Sequence, residues 1–325
     1  MTSAAGSQAF SAPGTITAGV VPLGSAGIWD AFVRSSRNAT FLHERGYMDY
    51  HADRFQDHSL LVFADGTLRG LLPANAASGS LVSHGGLTYG GLIVDDSQGA
   101  IEVLSMMEAV LDHARAQGFG TFHYKTIPSM YHRSPCEEDR YALFRLGGTL
   151  SRRDVLSVVA QSPRLPFQSR RARGARSAQK AGVTLIEETD YAPFWEVLSQ
   201  NLRARFGVDP VHSLDEITLL AKRFPANIRL FVARVDARCV AGVVVYESSN
   251  VAHVQYISAN DEGRNTHALD ALFAWLLNEV YASKPFFDFG ISNEQQGRVV
   301  NEGLLAQKQG FGARTLVHDY YTVDL

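Results

Sequence analysis

The chain of 325 residues has little cysteine, little net charge and no long apolar run. Its two cysteines, Cys136 and Cys239, lie far apart without paired spacing, which argues against a disulfide framework and against a zinc site. The formal net charge of -3 provides no general attraction to nucleic acid or to an anionic membrane. No apolar run approaches the roughly 18 residues of a membrane span. Residues 1–21 contain no basic residue and no unbroken apolar core, so we expect no signal peptide and a cytoplasmic protein.

The length predicts two domains, at roughly 150 residues per domain. Residues 1–13 are rich in Ser, Ala, Gly and Thr and indicate a loose tail. The predicted division is a flexible tail with a first strand, a first domain, a basic linker and a second domain, at residues 1–24, 25–160, 161–182 and 183–325. The first and second domains are called the first and second halves below.

The same order of elements occurs twice along the chain. Apolar β-type runs on either side of a turn predict hairpins over residues 60–73 and 228–246, turning at Asp65-Gly66 and near Asp236-Ala237. Each hairpin is followed by a strand, a helix with apolar spacing near 3.6 and another strand. These are predicted at 80–89, 101–114 and 120–126 in the first half, and at 251–258, 268–280 and 285–291 in the second. The repetition predicts two duplicated α/β domains.

One strong charge run lies between the halves. It has six cations and no acid: Arg164, Arg170, Arg171, Arg173, Arg176 and Lys180. A run of this kind is often the solvated face of a connecting helix. Alternatively, the fork-shaped donors of arginine suit phosphate, and a segment between domains lies beside a cleft where ligands bind.

Several strings together carry a resemblance to a known family. They are residues 41–43 with 50–55, 83–91 (Ser-His-Gly-Gly-Leu-Thr-Tyr-Gly-Gly), 131–144, the basic run ending at 180–183, and 288–290 with 305–313. In combination they resemble the GNAT superfamily of acyl-CoA-dependent N-acyltransferases, in the double-domain branch related to the Fem-type peptidoglycan aminoacyltransferases. The resemblance covers residues 28–325. It implies an α/β fold of two tandem domains, each a mixed, mostly antiparallel sheet flanked by helices, with a ligand crevice between them.

The resemblance also implies an acyl-CoA site. GNAT enzymes bind the CoA pyrophosphate through a Gln/Arg-x-x-Gly-x-Gly/Ala loop, whose backbone N–H groups precede a helix. The second half keeps a degenerate form of this loop, whereas the first half offers Asp95 and Asp96, which would repel a pyrophosphate. We therefore expect acetyl-CoA or a longer acyl-CoA in the second half, and no metal. The expected cofactor-binding residues are Tyr256, Ile257, Ser258, Gly263, Arg264, Asn265, Thr266 and Asn293, with backbone N–H groups of 256–258 holding the oxyanion.

Acyl transfer to an amine requires the amine to lose a proton, and the sequence offers three candidate bases. Asp288 ends a buried strand, where it would reach a crevice, although it could instead cap the next turn. Glu302 opens a helix and could simply complement the helix dipole. His253 lies in a strand, where a histidine is often only packed or hydrogen-bonded.

The acceptor site is predicted mainly in the first half. Four glycines in residues 85–91 would let the backbone approach a ligand, unless they form only a tight, irregular connection. Aromatic side chains there would stack on a base or a sugar. Lys308 matches a lysine that the relatives place before Phe-Gly, or it is an ordinary solvated lysine. The predicted acceptor-binding residues are Ser83, His84, Tyr89, Lys125, Tyr131, His132, Arg170, Arg171 and Lys308.

Within the branch, the resemblance is greatest to enzymes that N-acylate nucleotide-linked amino sugars for surface polysaccharides. We therefore expect acyl transfer from acyl-CoA to the amine of such a sugar, by a monomer or homodimer with a small-molecule substrate, no nucleic-acid partner and no membrane span. One alternative is a Fem-type enzyme that uses aminoacyl-tRNA as donor. The other is a non-catalytic protein that binds CoA or a nucleotide.

Overall fold

A computed structural model describes residues 15–22 and 24–325, and the tail predicted over residues 1–13 lies outside this range. The strands are β1 (Ile16–Val20), β2 (Gln56–Asp57), β3 (Leu60–Ala64), β4 (Thr67–Leu72), β5 (Asn75–Ala77), β6 (Ser80–Val82), β7 (Ile93–Val94), β8 (Thr121–Lys125), β9 (Thr149–Ala160), β10 (Thr184–Glu188), β11 (Ile228–Val235), β12 (Arg238–Glu247), β13 (Val251–Ala259), β14 (Phe286–Ile291), β15 (Asn293–Glu294), β16 (Val299–Val300) and β17 (Arg314–Asp324).

The helices flank these strands. They are α1 (Ala26–Ser35), α2 (Arg45–Met48), α3 (Ala100–Ala116), α4 (Glu138–Arg145), α5 (Ser169–Lys180), α6 (Ala192–Phe206), α7 (Leu214–Arg223), α8 (Asp261–Asn265), α9 (Ala268–Trp275) and α10 (Glu302–Gln309). A π-helical turn at Leu276–Val280 continues α9. Among the described residues, no helix is both long and apolar enough to cross a membrane.

Both predicted hairpins are confirmed. β3 pairs antiparallel with β4, and β11 pairs antiparallel with β12. The predicted helices are present as α3 and as α9 with its π-helical turn. The repeated order of hairpin, strand, helix and strand is therefore a property of the fold.

The strand predicted over residues 80–89 is wrong beyond Val82, where β6 ends. The chain leaves the sheet at Ser83, and its next strand, β7, belongs to a different sheet. A side chain at Gly90 would overlap the backbone oxygen of Ser83, so residues 83–92 fold back on themselves too closely for a strand. The segment is apolar because it is a buried loop, and not because it is a strand of a sheet.

Within the described residues, eleven strands form one long sheet in the order β10-β11-β12-β13-β14-β9-β17-β8-β6-β5-β2. A four-stranded sheet has the order β1-β3-β4-β7. The pairs β13 with β14 and β6 with β8 are parallel, one in each half. The long sheet is thus mixed and mostly antiparallel, as expected.

The last strands of the two halves are exchanged. β9 ends the first half in sequence, but it lies between β14 and β17. β17 ends the second half, but it lies between β9 and β8. Each half therefore supplies a strand that lies beside the other half at the centre of the sheet. The domain boundaries at residues 160 and 183 stay a prediction from the sequence.

The apolar core has three parts. One cluster lies around α3 and the four-stranded sheet, and another lies around α9 and the strands of the second half. A third joins side chains of both halves, among them Phe41, Tyr47, Trp195, Tyr246 and Tyr256. Large aromatic side chains bury much apolar surface, so this third cluster fixes the two halves against each other.

Candidate active site

A cavity of about 410 Å³ lies where the exchanged strands cross the centre of the long sheet. Its polar lining comes from β9, β13, β14, β17, α10 and two loops of the first half. It comprises Thr88, Tyr89, Tyr131, Arg152, Asp154, His253, Gln255, Asp288, Lys308, His318 and Tyr320. Both halves therefore contribute to one site. A concave site with a few convergent polar groups is the usual form of a small-molecule site.

His253 and Asp288 form a hydrogen-bonded pair in this cavity. They are direct neighbours in the parallel register of β13 and β14. His253 Nδ1 lies 2.7 Å from Asp288 Oδ2, and Asp288 Oδ1 accepts a hydrogen bond from the N–H of Gly290 at 2.8 Å. Because an ionised carboxylate only accepts hydrogen bonds, this network assigns the ring proton to Nδ1. The Nε2 lone pair of His253 is then available as a base whose ring is held by a buried carboxylate.

Lys308 lies beside this pair on α10. Its Nζ donates to the carbonyl oxygens of Gly290 at 3.1 Å and Ile291 at 2.5 Å, in the segment that follows Asp288. Burial lowers the pKa of Lys308 to about 8, although the nearby Asp288 carboxylate acts in the opposite direction. The ammonium has three N–H donors, so one remains for a ligand in the cavity.

The exchanged strand β9 supplies a charged pair. Arg152 donates to both carboxylate oxygens of Asp154, at 2.9 and 2.8 Å, and the amide of Asn293 donates to Asp154 at 2.8 Å. Burial alone would raise the pKa of Asp154, but these hydrogen bonds outweigh it and lower that pKa. The Arg152 guanidinium also lies 4.5 Å from the ring centroid of Tyr320. A charge-assisted, stacked arginine of this kind presents a fixed donor to the cavity.

His318 on β17 is an uncharged member of the lining near pH 7. Burial lowers its pKa to about 4, and its Nε2 lies 2.8 Å from the carbonyl oxygen of Thr126, to which it donates. Sequence reasoning missed His318, Tyr320, Arg152 and Asp154. The sequence does show polar and ionisable residues within these strand-like runs. However, no local sequence pattern predicts that β9 and β17 exchange places and so bring the four side chains together.

A groove of about 360 Å³ runs along β13 next to the cavity. β13 pairs with β14 only from Val251 to His253, so its edge towards β14 is open from Val254 onward. The pairing of β12 with β13 also shifts register at this point, leaving Gln255 in a bulge. The groove is lined by residues of α6, β13, α8, α9 and α10, and it shares Ile257 and Leu304 with the cavity. Groove and cavity are therefore contiguous.

The groove leads to the predicted pyrophosphate loop, which forms the five-residue helix α8. Asn260 accepts a hydrogen bond from the Gly263 N–H at 2.9 Å, so that N–H is already occupied. A side chain at Gly263 would overlap the carbonyl oxygen of Val240, which explains the glycine by close packing on β12. Arg264 lines the groove and also bonds the carbonyl oxygen of Ala259 and the carboxylate of Asp261.

The remaining predicted cofactor-binding residues occupy different positions. Ile257 and Ser258 line the groove. Tyr256 is buried and its hydroxyl bonds His212, so its side chain is part of the core. Thr266 donates to the carbonyl oxygen of Glu262 at 2.8 Å and, with Asn265, lies at the end of α8. Asn293 lies behind Asp154 and does not line the groove.

The basic run is located differently from the expectation that it grips the acceptor. All of its cations except Arg164 lie on α5, which packs on α9 in the second half. Arg171 Nη1 pairs with Asp270 at 2.8 Å, and Arg170 donates to the carbonyl oxygen of Ala306 at 3.1 Å. Arg171 lines a small pocket with Gly263 and Arg264. These contacts hold Arg171 near α8 and Arg170 against α10, and neither arginine lines the central cavity.

Four predicted acceptor-binding residues make the following contacts with other residues of the first half. Ser83 Oγ accepts from the Lys125 N–H at 2.7 Å, and Lys125 Nζ donates to the carbonyl oxygen of Leu87 at 2.5 Å. His84 is buried with its ring 5.2 Å from that of His51. The ring nitrogen Nε2 of His132 lies 3.1 Å from the carbonyl oxygen of Ile127.

Tyr89, Tyr131 and Lys308 are thus the predicted acceptor-binding residues that the structure brings to the cavity, together with the candidate bases His253 and Asp288. The third candidate base, Glu302, lies in the first turn of α10 and is exposed outside the lining. It complements the start of a helix, which was the alternative interpretation.

Comparison with known proteins agrees with this geometry. Residues 168–296 match the family model of the acetyltransferase (GNAT) domain. No curated protein matches the sequence significantly. Residues 168–296 thus form a GNAT-type acetyltransferase domain, and the chain has a tandem GNAT-like fold.

Solved structures show the same fold at low sequence identity. A FemX crystal structure superposes with a TM-score of 0.65 at 12% identity, covering 95% of this chain and 97% of that one. The C-terminal domain of a putative lysylphosphatidylglycerol synthetase from Agrobacterium fabrum gives 0.60 at 12%, covering 93% and 92%. A tandem GNAT protein from the clavulanic acid biosynthesis pathway gives 0.52 at 12%, covering 95% and 98%.

Proposed function

We propose that the protein transfers an acyl group from acyl-CoA, bound in the groove along β13, to the amine of an acceptor in the central cavity. The observation that carries this proposal is the contiguity of the two spaces at Ile257 and Leu304, with His253 lining the cavity on the same strand. A donor in the groove and an acceptor in the cavity would meet beside an oriented base.

The reaction follows from these positions. The amine nitrogen attacks the thioester carbon, and His253 Nε2 accepts a proton from it while Asp288 stabilises the resulting imidazolium. Backbone N–H groups on the open edge of β13 are placed to hold the oxyanion. The carbon–sulfur bond then breaks, the thiolate takes up a proton, and the products are the amide and free CoA.

The position of the basic run supports a phosphate-bearing donor in the groove of the second half, near α8. The start of α8 carries Asp261 and Glu262, which repel a pyrophosphate, and the Gly263 N–H is occupied. Arg171 lies beside this helix with Arg264, and Arg170 is on the same helix α5. The guanidinium groups supply the positive charge that the loop lacks. We therefore assign Arg170 and Arg171 to the donor.

A nucleotide-linked amino sugar is the proposed acceptor. The aromatic rings of Tyr89, Tyr131 and Tyr320 line the cavity, and aromatic faces suit the apolar faces of sugars. Arg152 offers a fixed donor for a sugar hydroxyl or a phosphate oxygen. The cavity of about 410 Å³ would take the amino sugar, with the nucleotide reaching out of it.

The direct test is release of CoA thiol from acetyl-CoA in the presence of a panel of nucleoside-diphosphate amino sugars. Wild-type protein is expected to turn over at least one of them, and His253→Ala to lower kcat by about 10²- to 10⁴-fold. His123→Ala, an exposed strand histidine outside the cavity, is the matched control and should retain full activity. Full activity of His253→Ala would refute the assigned base.

A second candidate donor is aminoacyl-tRNA. The occupied Gly263 N–H and the acidic start of α8 favour it, since both weaken a pyrophosphate site. Titration calorimetry with acetyl-CoA separates the two candidates. Saturable heat supports acyl-CoA, whereas no binding to CoA and acyl transfer from a charged tRNA would support the alternative.

A further inference from the structure

We propose that the donor carries an aliphatic acyl chain longer than acetyl, and that Ile257, Ile291 and Leu304 form its binding surface. This inference rests on the proposed function, because it requires acyl-CoA to be the donor. It adds the class of acyl group that the site is built to accept.

The three side chains are exposed, although they lie at the centre of the molecule. Ile257 is 40% exposed, Ile291 43% and Leu304 37%. They come from three different elements, β13, β14 and α10, yet all three line the central cavity. Single exposed aliphatic residues are common on proteins, but convergence from three elements on one cavity indicates an apolar ligand group.

Their location fits the acyl part of the donor rather than the CoA part. Ile257 and Leu304 line both the groove and the cavity, so they lie where a thioester would pass from one to the other. Ile291 lines only the cavity, as do the apolar side chains of Leu156, Val254 and Phe289. A chain that extends past the thioester would therefore continue along apolar side chains.

An acetyl group has a single methyl and would leave most of this surface in water. Each additional buried methylene contributes about 0.8 kcal/mol, which corresponds to roughly a fourfold gain in affinity. Four methylenes separate acetyl from hexanoyl. Because the three side chains cover a chain only in part, we expect at least a tenfold gain rather than the full value.

The test is calorimetric titration of the full chain with acetyl-CoA, butyryl-CoA and hexanoyl-CoA, without an acceptor. The Kd is expected to fall at least tenfold from acetyl to hexanoyl. Leu304→Trp, which fills the space, should reduce the ratio of the acetyl to the hexanoyl Kd to below about threefold. Ile291→Ala, which removes apolar surface without filling the groove, should lower the same ratio and provides a second variant if the first does not fold.

Leu219→Trp is the matched control, since Leu219 is an exposed helix leucine on α7 that lines neither the groove nor the cavity. It should preserve the wild-type ratio. Equal affinity for the three donors would overturn the chain-length inference while leaving acyl-CoA as the donor. Absence of binding to all three would overturn the proposed donor as well. A chain-length gain that survives both Leu304→Trp and Ile291→Ala would refute the assigned surface.

Discussion

In the second half, the edge of strand β13 that faces β14 is open beyond His253. In the first half, the loop of residues 83–92 occupies the corresponding position beyond β6. In the second half, β13 is continuous, and its edge towards β14 is free from Val254 onward. In the first half, the corresponding strand is short, because β6 ends at Val82 and the next strand, β7, belongs to the four-stranded sheet. Two copies of one plan therefore differ at the position where a ligand would enter.

Residues 83–92 of the first half are held in place by their own neighbours. Lys125 donates to the carbonyl oxygen of Leu87, and its backbone N–H bonds the hydroxyl of Ser83. The segment brings Tyr89 to the wall of the central cavity, where its ring lies 4.4 Å from that of Tyr131. We infer that the second half keeps its opening for the donor, while the first half uses its chain to shape the acceptor side.

The largest expected effect comes from the His253–Asp288 pair on the parallel strands β13 and β14 of the second half. Asp288→Asn keeps the shape of the side chain but can no longer fix the tautomer or stabilise an imidazolium. We expect kcat to fall by about 10²- to 10⁴-fold with little change in the donor Kd. Asp112→Asn on the exposed face of α3 is the control. An unaltered kcat in a thiol-release assay would remove the pair from the mechanism.

Two glycines make the comparison between the halves directly testable. A methyl at Gly263 would meet the carbonyl oxygen of Val240 and displace α8, and a methyl at Gly90 would meet that of Ser83 and displace the loop. We expect Gly263→Ala to raise the donor Kd by about tenfold, and Gly90→Ala to raise the acceptor KM by a similar factor, at a cost of about 1–3 kcal/mol in unfolding free energy each. Urea denaturation, calorimetry and steady-state kinetics measure these quantities. If Gly263→Ala raised the acceptor KM and Gly90→Ala raised the donor Kd, the assignment of donor and acceptor to the two halves would be reversed.

Two lysines with a lowered pKa predict a pH dependence of smaller size. Burial lowers the pKa of both Lys308 and Lys125 to about 8, but only Lys308 lines the cavity. Each ammonium is charged below this pKa and loses its proton as the pH rises through it. We therefore expect kcat/KM to decline severalfold between about pH 7 and 9, roughly one unit on either side of the pKa.

Lysine-to-arginine variants identify the lysine responsible. Because arginine stays protonated, Lys308→Arg should shift the decline to higher pH, while Lys125→Arg should leave it unchanged. The measurement is a pH profile of thiol release at saturating donor. A decline that moves with Lys125→Arg instead would place the functional lysine in the first half.

The smallest effect is expected at the basic helix. Replacing Arg170 and Arg171 together with alanine should raise the donor Kd by about 3- to 10-fold, an effect that added salt diminishes, and should leave the acceptor KM unchanged. Arg69→Ala, on β4 in the first half, controls for the loss of surface charge. A larger effect on the acceptor KM would restore the interpretation based on sequence, in which the run grips the acceptor.

Sequence patterns identified what depends on local periodicity. The hairpins, the helices α3 and α9 and the strands β13 and β14 follow from hydrophobic spacing and turn residues. His253 and Asp288 were predicted as separate candidate bases, and the structure joins them because the parallel register of β13 and β14 makes them neighbours. Register between strands that are distant in sequence is not encoded in either strand alone.

The features that the sequence did not predict depend on long-range pairing. Arg152, Asp154, His318 and Tyr320 reach the cavity only because β9 and β17 exchange places between the halves. The strand predicted over residues 80–89 failed because apolar spacing does not distinguish a buried loop from a strand. The basic run was recognised as a helix candidate, but its packing against α9 includes the ion pair of Arg171 with Asp270, which lie 99 positions apart.

The central claim is that the open edge of β13 receives the donor while the first half does not. Hydrogen exchange of the full chain with and without acetyl-CoA tests it directly, because backbone N–H groups that bind a ligand become protected. We predict new protection in residues 254–266 and none in residues 83–100. Protection in residues 83–100 instead, or at neither position despite saturating acetyl-CoA, would contradict this assignment of the two halves.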